Sequence, residues 1–156
     1  MRESLFDAKN ELKRVDHQIY VSLKYTRTVD VLLNTVSRMI DAYVCMVDSL
    51  LKLAVEEKKR PEESLPLSPL ERGTLVKELF PDEIVQDNIK LYFLLRKIIK
   101  SPPITKEQEF RRHVASITMI NGREEKINID ILTEYYDQIK EFHEWIDKKI
   151  DEFENN

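Results

Sequence analysis

The chain has 156 residues, 42% of them hydrophobic and 35% charged, which is enough apolar mass for one domain with a buried core. Its net charge is −4, whereas proteins that bind nucleic acids usually have an excess of basic residues. Nucleic-acid binding would therefore require a local cluster of basic residues. No apolar run reaches about eighteen residues and the N-terminus is too charged for a signal peptide, so we expect a cytoplasmic protein without membrane contact.

The cysteine and glycine contents narrow the class of protein further. One cysteine, Cys45, excludes an internal disulfide and a cysteine-cluster zinc site, which suits a reducing compartment. Only two glycines occur, among abundant Lys, Glu and Ile, and this composition is typical of thermophilic proteins.

Residues 1–60 are predicted to form a long helical pair. This stretch has neither Gly nor Pro, yet one helix of its length would run roughly 85 Å, which is longer than a compact domain. A break is expected at residues 20–28, where Thr26 or Thr28 can cap the helix that follows. The predicted helices are therefore 3–22 and 28–59.

Residues 61–69 are a predicted Pro-rich linker, and its end restarts the helical pattern. Ser68 is followed by Pro69 and then by Glu71, which is the pattern of a capping box with proline at the first helical position. We expect this helix to end near Phe80, because the next residue is a proline.

Helices are predicted to continue through residues 70–112. The helix over 82–100 is expected to lie at the centre of the bundle, because residues 91–99 are apolar on most sides. Thr105 and Gln108 form a second capping box, which predicts a short helix over residues 105–112.

Residues 113–129 are predicted to form a β-hairpin, because β-branched residues flank Asn121-Gly122, a strong pattern for a two-residue turn. Residues 130–154 are the predicted C-terminal helix, with Asp130 as its cap. The predicted fold class is mainly α: an antiparallel helical bundle of four long and two short helices, with one β-hairpin (about 113–129) before the C-terminal helix. The turn fixes the pairing of the strands as Ile120 with Arg123, Thr118 with Glu125, Ser116 with Ile127 and Val114 with Ile129.

The pattern of reactive residues predicts no catalytic site, no cofactor and no metal. The two glycines, Gly73 and Gly122, are too far apart for a phosphate-binding loop, and the Glu-x-x-His motif of carboxylate metal sites does not occur. Cys45 lies in the middle of a predicted helix without a histidine near it in sequence, which favours a structural thiol over a nucleophile.

A basic cluster, Arg111, Arg112 and His113, precedes the hairpin and is the candidate contact for phosphate or RNA. Arg96, Lys97 and Lys100 could extend this cluster into a patch. The alternative is that these cations solvate the end of the bundle and bind carbonyls at helix C-termini, where positive charge is favoured.

The helical architecture, led by a long helical pair, resembles HEPN domains, many of which are metal-independent ribonucleases or partners of nucleotidyltransferases. The resemblance implies an RNA-binding or RNA-cleaving helical bundle. The working motif of that family is an Arg followed four to six residues later by a His. No Arg and His in this chain have that spacing, since Arg14 precedes His17, and Arg111 precedes His113, by too few residues.

The function expected from these features is a non-catalytic interaction or scaffold module that self-associates as a homodimer. The first strand of the hairpin is apolar on both faces, so its exposed side needs a cover: either the short helix over 105–112 or a second copy of the protein. A second copy is favoured, with Ala115, Ile117 and Met119 as the candidate self-association residues. The alternative is a HEPN-like RNA-binding or ribonuclease protein that uses the cluster Arg111–His113.

Overall fold

The structure, a computed structural model, describes residues 1–107 and 114–156 and is mainly helical, with a small antiparallel sheet before the C-terminal helix. The predicted fold class is thus confirmed. The helices are α1 (Arg2–His17), α2 (Val29–Glu56), α3 (Pro69–Leu79), α4 (Glu83–Lys100) and α5 (Ile129–Glu154). The strands are β1 (Thr105–Glu107), β2 (Ala115–Ile120) and β3 (Arg123–Ile127).

The long helical pair breaks where the sequence predicts it. Helix α1 continues through a π-helical turn, Gln18–Ser22, and a last α-helical turn, Leu23–Tyr25, before the chain reverses. The Thr28 hydroxyl accepts a hydrogen bond from the Val31 N–H at 3.3 Å and caps α2, as expected.

Helix α2 is the centre of the bundle, and α1, α3, α4, α5 and β2 all pack against it. Its buried residues lie around most of its circumference, because Leu50 and Leu51, and again Leu53 and Ala54, are at most 1% exposed. From the sequence, we expected the helix over 82–100 to lie at the centre of the bundle. That prediction is wrong, since α4 leaves one side only half-buried, at Phe93 and Leu94.

A polar cluster around Asp48 joins α1, α2 and α3. The Asp48 carboxylate pairs with Lys52 at 2.9 Å and with Arg72 of α3 at 2.8 Å, and it accepts a hydrogen bond from the Ser4 hydroxyl of α1. Lys52 also donates to the Ser4 hydroxyl at 3.1 Å. Because the Asp48 side chain is about a third exposed, these bonds are shielded only in part from water.

The hairpin has the predicted turn and register. Asn121 and Gly122 have φ values of 51° and 79°, the left-handed pair that a type I′ turn needs, and Gly122 tolerates this region because it has no Cβ. The pairs Ile120–Arg123, Thr118–Glu125 and Ser116–Ile127 are all present. The fourth expected pair, Val114–Ile129, is not formed, because β3 ends at Ile127 and α5 begins at Ile129.

The predicted short helix over 105–112 is wrong at its start, because Thr105–Glu107 form β1 and residues 108–113 lie outside the described residues. β1 pairs with β2, with Thr105 opposite Ile117 and Glu107 opposite Ala115, and the Ile104 N–H donates to the Ile117 carbonyl at 2.9 Å. The backbone groups along the edge of β2 require partners, and this requirement outweighs the local capping pattern.

The cap of α5 also differs from the prediction. Asn128, and not Asp130, is the capping residue, and its side-chain oxygen accepts from the Ile131 N–H at 2.8 Å. Asn128 leaves β3 with an extended backbone, which is the conformation that a capping residue needs. Asp130 instead lies in the first turn of the helix, where its charge complements the helix dipole.

Replacing Ser68 by Ala should lower the free energy of unfolding by about 1 kcal/mol, because Ser68 Oγ caps α3 by accepting from the Glu71 N–H. Ser68→Asp keeps an acceptor at this position and should stay close to the wild type. Urea denaturation of the three proteins measures the difference. An unchanged midpoint for Ser68→Ala would show that the cap does not stabilise the helix.

The interactions of Asp48 should make the free energy of unfolding depend on pH. Partial burial alone would raise its pKa, but hydrogen bonds from Ser4 and Lys52 and the charges of Lys52 and Arg72 hold the pKa of Asp48 below its ordinary value. The contribution of Asp48 to stability is therefore complete above the unfolded pKa of about 3.9 and is lost as the pH falls through the folded pKa.

We expect Asp48→Asn to lower the free energy of unfolding by about 2 kcal/mol at pH 7, because the charged hydrogen bonds and ion pairs are lost. The difference from the wild type should shrink as the pH falls below the unfolded pKa of about 3.9 and through the lower folded pKa, because Asp48 itself then becomes protonated. Urea denaturation at pH 7 and at pH 2.5 tests this expectation. A difference that does not change with pH would contradict it.

Candidate functional site

One concave surface is a groove of about 1050 Å³ that follows α4 and is bordered by α3, the β2–β3 turn and α5. We call it the α4 groove. Its lining includes five apolar side chains, Ile84, Leu91, Phe93, Leu94 and Ile120. Gly73 of α3 lies against Phe93, which lines the groove: a Cβ at this position would lie 2.7 Å from Phe93 Cε1, so α3 can approach the ring this closely only without a side chain.

Charged side chains of both signs surround these apolar residues. Within the part of the chain that the structure describes, none of these charged groups forms an ion pair with another residue, although ten ion pairs are found elsewhere. Among the described residues, the groove therefore presents charges without ion-pair partners over an apolar base. The cations are Lys77, Lys90, Lys97 and Arg123, and the anions are Glu83, Asp87, Glu125 and Glu141.

The second concave surface is a cavity of about 600 Å³ between the end of α1, the base of the sheet and the first turn of α5. We call it the π-turn cavity, because Tyr20 of the π-helical turn lines it. Lys24 and Arg27, which follow Tyr20 in the chain, also line it, as does Lys126 of β3. Since Glu125 lines the α4 groove and the next residue, Lys126, lines the cavity, the two sites lie on opposite faces of β3.

The candidate phosphate or RNA contact, Arg111, Arg112 and His113, lies outside the described residues, so its role stays a prediction. The described residues nearest to it on each side, Glu107 and Val114, both line the π-turn cavity.

The candidate self-association residues lie on the outer face of the sheet. Ala115 is fully buried within the chain, Ile117 is partly buried and Met119 is 44% exposed. Lys126 and Glu107 form an ion pair at 3.6 Å across this face, beside Ala115 and Ile117. Of the three residues, Met119 therefore offers the most surface to a second copy, and β1 already covers the edge of β2.

The residues of the two concave surfaces were not found from the sequence, because each set comes from segments far apart in the chain. The sequence nevertheless contained a signal for the α4 groove, because residues 91–99 are apolar on most sides. A helix of this kind leaves some apolar side chains exposed unless other elements surround it. For the π-turn cavity, the signal was the run from Tyr20 to Arg27, in which two tyrosines alternate with cations.

Acidic side chains surround Cys45 on α2, but they do not form a reactive site. Partial burial, and then the negative charges of Asp7, Glu11, Asp41 and Asp48, raise the pKa of the Cys45 thiol. A raised pKa keeps the sulfur in the protonated form, which is the unreactive one.

Two further findings concern metals and membranes. Within residues 1–107 and 114–156, no group of three or more His, Cys, Asp and Glu side chains is arranged to hold a metal ion. Among the helices that the structure describes, none is both long and apolar enough to cross a membrane.

Comparison with known proteins gives no relative. No protein-family model matches this chain, and neither a curated protein nor a solved structure matches it. The likeness to HEPN domains stays a prediction from architecture.

Cys45 should react with iodoacetamide more slowly in the native protein at pH 8 than in the urea-unfolded chain. The reason is that its raised pKa lowers the thiolate fraction, and half-burial limits access. The rate for the native protein should still be rising above pH 9. A native rate that exceeds the unfolded rate, or that levels off below pH 8, would show an activated cysteine.

Proposed function

We propose that this protein is a non-catalytic interaction module that pairs with a second copy of itself through the α4 groove. The observation that carries the proposal is the set of eight charged side chains around the apolar base, four of each sign, without ion-pair partners among the described residues. Such a surface can bury its apolar residues only if a partner supplies complementary charges.

A second copy satisfies this requirement by symmetry. In a two-fold interface the same surface is used on both sides, so it must be complementary to itself. Equal numbers of cations and anions allow Lys90 or Arg123 of one copy to face Asp87 or Glu141 of the other, whereas a groove of one sign would repel its own copy. The apolar residues Ile84 and Leu94, which are only partly buried, would then form the dry centre of the contact.

This proposal moves the expected homodimer contact away from Ala115, Ile117 and Met119. Edge-to-edge pairing of sheets is disfavoured for two reasons. β1 has only three residues, and β3 has the charged sequence Arg-Glu-Glu-Lys, which is the kind of edge that resists pairing with another chain. The cytoplasmic location and the thermophilic source remain proposals that rest on composition alone.

Charge reversal tests the groove without disturbing the core. Lys90→Glu with Arg123→Glu makes the groove strongly acidic, and Asp87→Lys with Glu141→Lys makes it strongly basic, all at exposed positions. At a protein concentration of about 100 µM, an interface of moderate affinity should be largely formed. We therefore expect light scattering to give the mass of a dimer for the wild type and of a monomer for each double variant. An equimolar mixture of the two variants should recover dimers, because each supplies the charges that the other lacks.

Met119→Lys is the matched control on the outer face of the sheet and should remain dimeric. If this variant is monomeric while both groove variants stay dimeric, the contact is at the sheet and the groove proposal is wrong. A monomeric wild type contradicts self-association altogether and leaves the α4 groove to a different protein.

A further inference from the structure

We propose that the π-turn cavity binds single-stranded nucleic acid, with one nucleotide in the cavity and its neighbour stacked on Tyr25. This site lies on the opposite face of β3 from the α4 groove, so the inference does not depend on self-association. It rests on exposed aromatic rings, on cations without an ion-pair partner among the described residues and on a cavity of suitable size, which occur together at the end of α1.

The cavity has the dimensions and the surface of a small-ligand site. A volume of about 600 Å³ falls within the usual range of roughly 300–1,000 Å³ for such sites. Ile19, Leu23 and Val114 are buried and give it apolar walls, while polar groups lie around them. This combination suits a ligand with a flat ring at one end and a charge at the other.

Two cations beside the cavity are available to a phosphate. Lys24 and Arg27 line it, and neither is in an ion pair with any residue in 1–107 or 114–156. They lie three residues apart in the chain and line the same cavity, so they can approach the same group. Lys126 is less available, because it pairs with Glu107.

The negative groups at the cavity limit what it can hold. Glu107 and Asp130 oppose Lys24, Arg27 and Lys126, so the lining has a net charge of +1 (three cations less two anions). The first turn of α5 adds a partial positive charge from its N–H groups. A singly charged phosphodiester matches this balance better than a doubly charged phosphate monoester, and phosphodiesters are the linkages of a nucleic-acid strand.

Two exposed tyrosines favour a nucleic-acid strand over a free nucleotide as the ligand of this cavity. Tyr20 lines the cavity and is 52% exposed, so a base inside can lie against its ring. Tyr25 does not line the cavity and is 79% exposed, with Lys24 Nζ 6.0 Å from its ring centre. A ring this exposed next to a cation is a stacking platform for a second base, which only a strand supplies.

Fluorescence anisotropy with labelled decamers of uridine and of deoxythymidine tests the inference at 50 mM and 200 mM salt. Since the two cations converge on one phosphate, the affinity of the wild type should fall about 2.6-fold over this range. Tyr25→Ala should weaken binding about tenfold, as expected when one stacked base is lost. Lys24→Gln with Arg27→Gln should weaken binding and also reduce the dependence on salt.

Two variants on the same helix are matched controls. Phe6→Ala removes an aromatic ring that is 60% exposed, and Lys13→Gln removes an exposed positive charge, both away from the cavity. Both should bind as the wild type does. Circular dichroism and thermal unfolding of every variant verify that each one is folded.

Several outcomes would overturn the inference. One is that the wild type binds neither decamer at 50 mM salt. Another is that the cavity variants bind as well as the wild type, or that the control variants lose as much affinity as they do. A third is that uridine monophosphate competes as well per molecule as the decamer, because Tyr25 would then add nothing and the site would be one for free nucleotides.

Discussion

The need to bury α2 on nearly all sides determines how the rest of the chain is arranged. A helix with one apolar stripe can lie on the surface, but α2 has buried residues at adjacent positions, such as Leu50 with Leu51 and Leu53 with Ala54. Such a helix must be surrounded. Helices α1, α3, α4 and α5 and strand β2 therefore pack around it.

Two polar groups on α2 determine where its neighbours sit along it. Tyr43 is fully buried, and its hydroxyl donates to Asn88 of α4 at 2.7 Å, while its ring lies 5.4 Å from that of Tyr92. Asp48 holds Ser4 of α1 and Arg72 of α3. Hydrophobic contact tolerates sliding between helices, but these bonds have short ranges and fixed directions, so they favour one register.

The sheet divides the surface into two regions with different chemistry. Its inner face, with Ser116, Thr118 and Ile120, is buried against the helices, and the charged groups at the end of the hairpin lie along the α4 groove. Its outer face contributes Glu107 and Lys126 to the π-turn cavity. Adjacent residues of β3 thus serve different sites, because successive side chains of a strand point in opposite directions.

The sequence by itself determined the features that depend on near neighbours along the chain. These are the caps at Thr28 and Ser68, the Asn121-Gly122 turn and the register of the hairpin. In each case the interacting groups lie within about a dozen residues of one another, so backbone geometry alone brings them together. The predominance of helix followed from the same source, since long stretches without Gly or Pro permit little else.

Only the tertiary structure decided which elements meet and which surfaces stay open. Thr105 and Gln108 formed a good local signal for a helix, but the unpaired edge of β2 made Thr105–Glu107 a strand. The position of α2 at the centre, and the half-buried Phe93 and Leu94 on α4, followed from competition among several apolar helices for the same core. Both concave surfaces combine residues from segments far apart in the chain. The spacing of hydrophobic residues predicts that one face of an element is buried, but it does not predict which element covers that face.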